Sequence, residues 1–414
     1  MGAAASHWRV FAVWTARIIA GSTFIVSGWA KTVDPRGFAM KIHEYLQVWN
    51  FGDLMPDGMT AFVAAAISIF ELCLGAMLLT GIMRRTTAIG ATLFMAVMLP
   101  FSVYIFAADP VADCGCFGDL MRVSNLATML KNIALTLLAV ACLVWWKASP
   151  SPLVSSVKWL VPVLSVIYGI VVALIGWHIQ PIVDFRSYPL GASLVQHTDS
   201  EPAIPNYVYS RDGVEQPFSL DQLPDSTWTF LRIESDDSAD THTDALAVFD
   251  GDDEVTDELF GHDTPKQMII MVFAHPGLDD LLRSRMANEL SRYARNHNIA
   301  MIGLVGTSGS ALEQWKELVR PAYDVFSADD TALKQIVRGS VGIVYMRDGR
   351  IVWKRNFSTL PADLLAHDNP LDSISIVDDG RVALWLSGAY IAGLALLLTI
   401  SLMARKRRQQ PDRQ

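Results

Sequence analysis

DCGCFG, at residues 113–118, is a short loop between two long apolar segments. Its two thiols, Cys114 and Cys116, are separated only by Gly115, and glycine most readily adopts the backbone angles that a small ring needs. A disulfide closed over so few residues is strained, which makes it a better oxidant and easier to exchange. We therefore interpret Cys114 and Cys116 as a redox pair. The alternative is a structural loop with two unreactive thiols.

The composition is that of a membrane protein. Hydrophobic residues make up 51% of the 414 residues and charged residues 18%, against roughly 25% charged residues in a soluble protein. Acidic residues crowd between Asp184 and Asp379, whereas the tail is basic at 405–408. This distribution argues against nucleic acid as a partner and for a lipid bilayer with charge-sorted sides. The four cysteines are too few for a disulfide scaffold, and their spacing does not fit a zinc site.

Six apolar runs approach the length of about 20 residues that spans a bilayer. They lie at about 10–30, 60–81, 86–108, 124–146, 158–178 and 383–403. Basic residues in two of the connecting loops and in the tail fall on one side if the N-terminus is cytoplasmic. This predicts a multi-pass protein of the bacterial inner membrane with both termini in the cytoplasm. The cysteine loop and residues 180–382 would then be external. The first loop opposes this orientation through Lys31, Arg36 and Lys41.

Ionisable residues within the predicted spans are energetically costly in lipid, and they therefore suggest a functional site. Glu71 lies midway along the second span, and Lys131 lies about two turns into the fourth. One hypothesis is a Glu71–Lys131 bridge that fixes helix packing. The other is a proton acceptor that serves the thiol pair or a bound quinone. Cys73 and Cys142 also lie within spans, where cysteine usually behaves as a small hydrophobe.

Residues 180–265 are polar, with short β-type runs, and from Lys266 the pattern changes to alternating strands and helices. The predicted elements are a strand at Met268–Phe273, a helix at Asp279–Asn296, a strand at Ala300–Val305, helices at Leu312–Val319 and Thr331–Val337, and a hairpin formed by Ile343–Met346 and Ile351–Lys354. This order is that of a thioredoxin-like fold.

The thioredoxin-like region contains no cysteine. Residues 274–278 read AHPGL where a thioredoxin carries its Cys-x-x-Cys motif, and Val341 stands where the cis-proline normally lies. We therefore interpret the region as a binding or docking module. His275 is a candidate ligand or acid–base group, although a lone exposed histidine is ordinary.

Three stretches of the first 150 residues resemble the DoxX-like family that includes the methylamine-utilisation protein MauE. They are FIVSG at 24–28 with Lys31 and Asp34-Pro35; Glu71-Leu72 with Gly75, Leu78, Gly81 and Arg84; and the cysteine loop at 113–118. Asp184-Phe185-Arg186 with Gly191, and residues 250–259, resemble longer members from Bacteroidetes-type bacteria that add an external domain.

The resemblance implies a four-helix, redox-associated bundle in the cytoplasmic membrane, which in MauE is linked to disulfide formation or maturation of methylamine dehydrogenase. Nothing in this chain is a dehydrogenase subunit. The expected fold class is thus mixed: an all-α transmembrane four-helix bundle of the DoxX/MauE type, followed by a membrane-anchored α/β thioredoxin-like domain. The predicted segments are the bundle at 1–150, a fifth transmembrane helix at 151–180, a polar β-rich external region at 181–265, the thioredoxin-like domain at 266–381, a sixth transmembrane helix at 382–404 and a basic cytoplasmic tail at 405–414.

Three functional hypotheses follow. In the first, Cys114 and Cys116 act as a thiol–disulfide oxidoreductase on an envelope client that docks on residues 181–381, with Glu71 and Lys131 in support. In the second, the protein is a non-catalytic membrane scaffold or sensor. In the third, suggested by the DoxX name, the bundle is a quinone-linked electron-transfer subunit with the quinone near Lys31, Glu71 and Lys131.

Overall fold

The computed structural model describes residues 2–51, 55–111, 115–121, 123–148, 153, 157–195, 206–211, 214–218, 229–234, 246–261, 265–360, 371 and 379–409. The chain divides into two units. The helical unit comprises Met1–Arg186 and Ser358–Gln414, and the sheet unit comprises Ser187–Phe357. Asp113, Cys114 and Arg122, the basic residue nearest to the cysteine pair in the sequence, lie outside the described residues.

The helices in chain order are α1 (Gly2–Val33), α2 (Pro35–Val48), α3 (Asp57–Thr80), α4 (Arg84–Ala108), α5 (Asn125–Val144), α6 (Leu160–His178), α7 (Thr256–Phe260), α8 (Asp279–Asn296), α9 (Gly309–Val319), α10 (Asp330–Ile336) and α11 (Asp379–Gln409). The strands are β1 (Asn206–Arg211), β2 (Val214–Phe218), β3 (Thr229–Glu234), β4 (Val248–Asp250), β5 (Asp253–Glu254), β6 (Gln267–Phe273), β7 (Ala300–Val305), β8 (Asp324–Ala328), β9 (Val341–Arg347) and β10 (Arg350–Asn356).

Within the described part of the chain, six helices are long and apolar enough to cross a membrane. These segments are His7–Val33, Gly58–Thr80, Arg84–Ala108, Asn125–Val144, Leu160–His178 and Arg381–Ala404. Each coincides with one of the six apolar runs, so the predicted multi-pass architecture is confirmed. The cytoplasmic placement of both termini and the external placement of residues 180–382 stay predictions.

The core of the helical unit joins α1, α3, α4 and α5. Phe24 of α1, Leu78 of α3, Met95 of α4 and Leu135 of α5 belong to one buried cluster. The predicted count of four helices is nevertheless not confirmed, because α6 packs on α1 and α3 in the same unit. A second cluster joins residues of α1, α3 and α6, namely Val33, Leu72, Tyr168 and Val172.

Helix α11 is attached to α6 by polar and aromatic contacts. The hydroxyl groups of Ser165 and Tyr390 lie 2.7 Å apart, and those of Tyr168 and Ser387 lie 2.8 Å apart. The rings of Tyr168 and Tyr390 stack with centroids 4.5 Å apart. Because lipid satisfies no hydroxyl group, such paired bonds favour a fixed helix–helix register.

The sheet unit is built on a seven-stranded sheet with the order β10-β9-β6-β7-β8-β4-β5. Strands β6, β7 and β8 run parallel, and β9 and β10 are antiparallel to their neighbours. The predicted strands, hairpin and helices of this region are all present, with ends shifted by at most a few residues. Strand β8 was not predicted. Strands β1 to β3 form a separate sheet, and the thioredoxin-like assignment stays a prediction.

Candidate functional site

Glycines allow α1 and α3 to approach each other closely. A Cβ atom added to Gly28 would lie 2.5 Å from the backbone nitrogen of Leu72, and one added to Gly75 would lie 2.7 Å from that of Ile25. Small residues are the usual means by which membrane helices bring their backbones together. The approach at Gly28 and Leu72 places the next turn of α1 beside Glu71.

Lys31 and Glu71 form a buried ion pair across this contact. The Lys31 Nζ donates to Glu71 Oε2 at 2.7 Å, and the two side chains are only 7% and 5% exposed. The predicted Glu71–Lys131 bridge is therefore wrong, because α3 packs on α1 at this level and Lys31 occupies the carboxylate. Lys31 is therefore a buried partner of Glu71, although it was assigned to the first loop from the sequence. Leaving either charge alone in this surrounding would cost several kcal/mol.

Lys131 instead faces the cysteine loop. Its Nζ lies 4.5 Å from the centroid of the Phe117 ring, a cation–π geometry. The neighbouring Asn132 is buried, and its amide Nδ2 donates to the Met98 carbonyl at 3.5 Å. Helix α5 thus presents a cation and an amide on the side of the bundle that carries the loop.

The cysteine loop is attached to α1 at its second cysteine. The Ser27 Oγ donates to the Cys116 carbonyl oxygen at 2.6 Å. Gly115 and Gly118 have φ angles of +63° and +56°, which side chains other than glycine rarely adopt. Cys116 is half-buried, whereas the pairing of Cys114 with Cys116 lies outside the described residues.

These groups line one pocket in the helical unit. Its polar lining consists of side chains from α1, α3, α5 and the loop: Thr23, Ser27, Lys31, Glu71, Cys116, Lys131 and Asn132. Its apolar lining consists of Phe24, Phe94, Met95, Met98 and Leu135. Three of the four predicted site residues, Cys116, Glu71 and Lys131, are therefore brought together, and Cys114 lies outside the described residues. Among the described residues no cluster of His, Cys, Asp or Glu is suited to a metal ion.

Cys73 and Cys142 do not line this pocket. Cys73 lies against Met77 and the Pro162 carbonyl, with sulfur contacts of 3.8 and 4.0 Å. Cys142 is buried in a small apolar cluster with Ala16 and Ala88. Both surroundings agree with their interpretation as small hydrophobes.

Two features of the helical unit were missed from sequence. Helix α2 begins after Asp34, whose carboxylate accepts from the Gly37 amide, and Pro35 occupies its first turn. This Asp-Pro pair is a recognisable helix start. Arg17 lies buried within the first span, where its Nε donates to the Leu78 carbonyl at 2.8 Å. A cation at the C-terminal end of α3 is favoured by the helix dipole.

In the sheet unit, His275 follows β6 and lies near Asp330 at the start of α10. Burial opposes ionisation of the Asp330 carboxyl, but hydrogen bonds from Lys334 and Thr331 and the charges of Lys334 and His275 lower its pKa overall. The Lys334 Nζ lies 2.5 Å from Asp330 Oδ2. These contacts are accounted for by a structural role of the Asp330 carboxylate at the start of α10.

The helices and the pocket together define a multi-pass membrane protein with an ionisable pocket beneath a cysteine loop. Residues 9–147 match the family model described as methylamine utilisation protein MauE. This match covers the predicted resemblance in the first 150 residues, which is thereby confirmed. Residues 205–236, which include β1 to β3, match the model of a domain of unknown function, DUF8463.

A curated relative is similar to a shorter part of the chain. Protein TlpB of Flavobacterium psychrophilum is 28% identical over 123 residues, which is 29% of this chain and 33% of that protein. The chain thus spans about a third of the length of this relative. No solved structure matches the chain.

Proposed function

We propose that this protein carries out thiol–disulfide exchange in the bacterial inner membrane, with Cys114 and Cys116 acting on an envelope client. The observation that carries the proposal is the position of Cys116. It lines a pocket that also contains a buried Lys31–Glu71 pair and the ammonium group of Lys131. Buried ionisable groups in a membrane span usually mark a functional site.

The exchange balances without any further reactant. A client thiolate attacks the loop disulfide, so that a client–loop S–S bond forms and the Cys114–Cys116 bond breaks, releasing one loop thiolate. The second client thiolate then attacks the mixed disulfide, which leaves the client oxidised and the loop as two thiols. Two electrons pass from client to loop, and the reverse sequence reduces a client disulfide.

The sheet unit is proposed to dock the client. It contains no cysteine, so it offers no competing thiol chemistry. The chain enters this unit shortly after α6 and leaves it before α11, which are both membrane-spanning candidates. Residues 181–381 are thus connected at both ends to membrane-spanning candidates, and this connection supports them as the proposed docking region.

The test is to trap the mixed disulfide. Membranes with Cys114→Ser or Cys116→Ser are quenched with acid, alkylated and separated without reductant. We expect a client adduct with one of the two variants, which reductant removes and which the double serine variant lacks. Cys142→Ser, which leaves the loop intact, is the matched control and should yield no stable adduct. Absence of adducts from both variants, with full cellular activity of the double variant, would leave only the scaffold function.

A second candidate is a quinone as electron acceptor for the loop. It is supported by a lining that combines apolar side chains with Lys31, Glu71 and Lys131, since an apolar body with oxygen atoms at its ends suits such walls. Reoxidation of the reduced loop in detergent-purified protein freed of lipid quinone should then depend on added quinone. An equal rate of reoxidation without quinone would remove this candidate.

A further inference from the structure

Among the described residues that line the pocket, the formal charges do not cancel. Lys31 and Glu71 neutralise each other at 2.7 Å. Lys131 lines the same pocket, and within the part of the chain that the structure describes no carboxylate forms an ion pair with it. A cation in a surrounding of low dielectric strongly favours a nearby anion, because little solvent screens the attraction.

Besides the paired Glu71, the Cys116 thiol is the group among the described lining residues that can become an anion. Cys116 and Lys131 both line the pocket. Phe117, the residue directly after Cys116, holds the Lys131 ammonium 4.5 Å from its ring centroid. The bond from Ser27 to the Cys116 carbonyl fixes the loop backbone against α1. The thiol is therefore held on the wall of a pocket whose described lining residues carry two ammonium groups and one carboxylate.

Other charged groups of the described residues lie on the elements that meet the loop. Lys31 and Glu71 line the pocket, Lys41 and Glu44 are paired on α2, Asp109 ends α4, and Asp119 lies in the helical turn Gly118–Leu120 that follows Cys116. Lys41 packs against Gly115, where an added Cβ atom would lie 3.1 Å from its Cγ, but its ammonium is paired with Glu44 at 3.0 Å. Asp109, at the end of α4, accepts from the Asn125 amide at 2.7 Å. Lys41 is thus the main competitor of Lys131 as the cation for the loop.

We infer that Lys131 is a positioning residue that stabilises the thiolate of Cys116, and so sets the pH at which this cysteine reacts. The inference rests on the proposed function in one respect, namely that the thiolate serves in thiol–disulfide exchange. It assigns to Lys131 an electrostatic role toward the loop, and none in pairing Glu71.

The test is the pH profile of alkylation of Cys116 alone. Detergent-purified protein with Cys73→Ala, Cys114→Ser and Cys142→Ala leaves one thiol, which is titrated with iodoacetamide. An opposite charge at close range shifts such a titration by about one unit or more. We therefore expect Lys131→Met to raise the pH of half-maximal alkylation rate by about one unit, which reduces the thiolate fraction at lower pH about tenfold.

Three further variants make the result specific. Lys131→Arg keeps the charge and should retain most of the original profile. Lys147→Met removes a lysine that also lies over an aromatic ring, 5.7 Å from Trp146, but does not line the pocket, and should change nothing. Superimposable profiles for Lys131→Met and the parent would overturn the inference, as would equal shifts for Met and Arg. A shift caused by Lys41→Met alone would assign the role to Lys41.

The two proposals fail separately. The profile is measured on a single thiol without any client, so it stands even if no mixed disulfide is ever trapped. Conversely, exchange through the loop can be trapped even if Lys131→Met leaves the profile unchanged.

Discussion

The Lys31–Glu71 pair places two opposite charges inside the helical unit, where each would be unfavourable alone. Removal of one partner from such a pair typically costs about 3–5 kcal/mol, because the other charge stays buried and uncompensated. Replacement of both by apolar side chains of similar size is often nearly neutral. The pair therefore contributes more to the specific pairing of α1 with α3 than to the net stability of the helical unit.

We expect Glu71→Gln to lower the free energy of unfolding by about 3 kcal/mol or more, since Lys31 then lacks its carboxylate. The double variant Lys31→Met/Glu71→Leu should recover most of this loss. Reversible unfolding in mixed detergent measures both values. The matched control is Glu44→Gln, which removes the carboxylate of an exposed pair and should cost about 0–1 kcal/mol. Lys31→Met and Glu71→Leu are also measured alone, and a loss in the double variant equal to the sum of these two losses would show that the two residues do not interact.

At this scale the sequence identified the chemistry of Glu71 but not its partner. The sequence position of a carboxylate within an apolar span is enough to predict that it needs a partner. Which residue is the partner depends on which helices pack together. Lys31 and Lys131 are both lysines, so residue type alone did not distinguish them as partners of Glu71. The glycine contact at Gly28 decided between them, because it brings α1 against α3.

Helix pairing is determined by small residues as much as by apolar ones. The contact at Gly28 leaves no room for a methyl group, because the neighbouring atoms belong to the backbone of α3. Side chains can move to relieve such crowding, but a packed helix backbone moves only at the expense of its other contacts.

We expect Gly28→Ala to destabilise the helical unit by about 1–3 kcal/mol or more through overpacking. Gly58→Ala is the matched control on α3, because nothing lies within 4 Å of an added Cβ atom there. Alanine has the better helix propensity, so this control should be neutral or slightly stabilising. Yield and thermal unfolding of purified protein report both effects. Equal stability of the two variants would contradict the close approach of α1 and α3.

Elements with strong periodicity were predicted well, and elements that depend on local signals were missed. Six bilayer-length runs and the strand Ala300–Val305 follow from hydrophobic pattern alone. Helix α2 is short and only partly apolar, so its hydrophobic pattern does not predict a helix clearly. The Asp34-Pro35 pair at its start is the stronger sequence signal for this helix. Strand β8 has five residues, and it is defined by its pairing with β7 and β4 more than by its own sequence.

Across the whole molecule, the sequence predicted a multi-pass membrane part followed by a region of strands and helices. It did not predict that α6 and α11 share a unit with the first helices. Such packing depends on contacts between distant residues, for example Tyr168 with Ser387. The order of strands in the seven-stranded sheet likewise follows from pairings that no single segment contains.

The central claim is that the loop at 113–118 is redox-active on the outer face of the membrane. It is tested most directly in sealed, right-side-out vesicles from cells that carry Cys73→Ala and Cys142→Ala, equilibrated over a series of redox buffers. A membrane-impermeant maleimide of large mass then labels free thiols. We predict two added labels per chain in reducing buffer, none in oxidising buffer, and a single two-electron transition between them. Labelling that is the same at every potential would contradict the account.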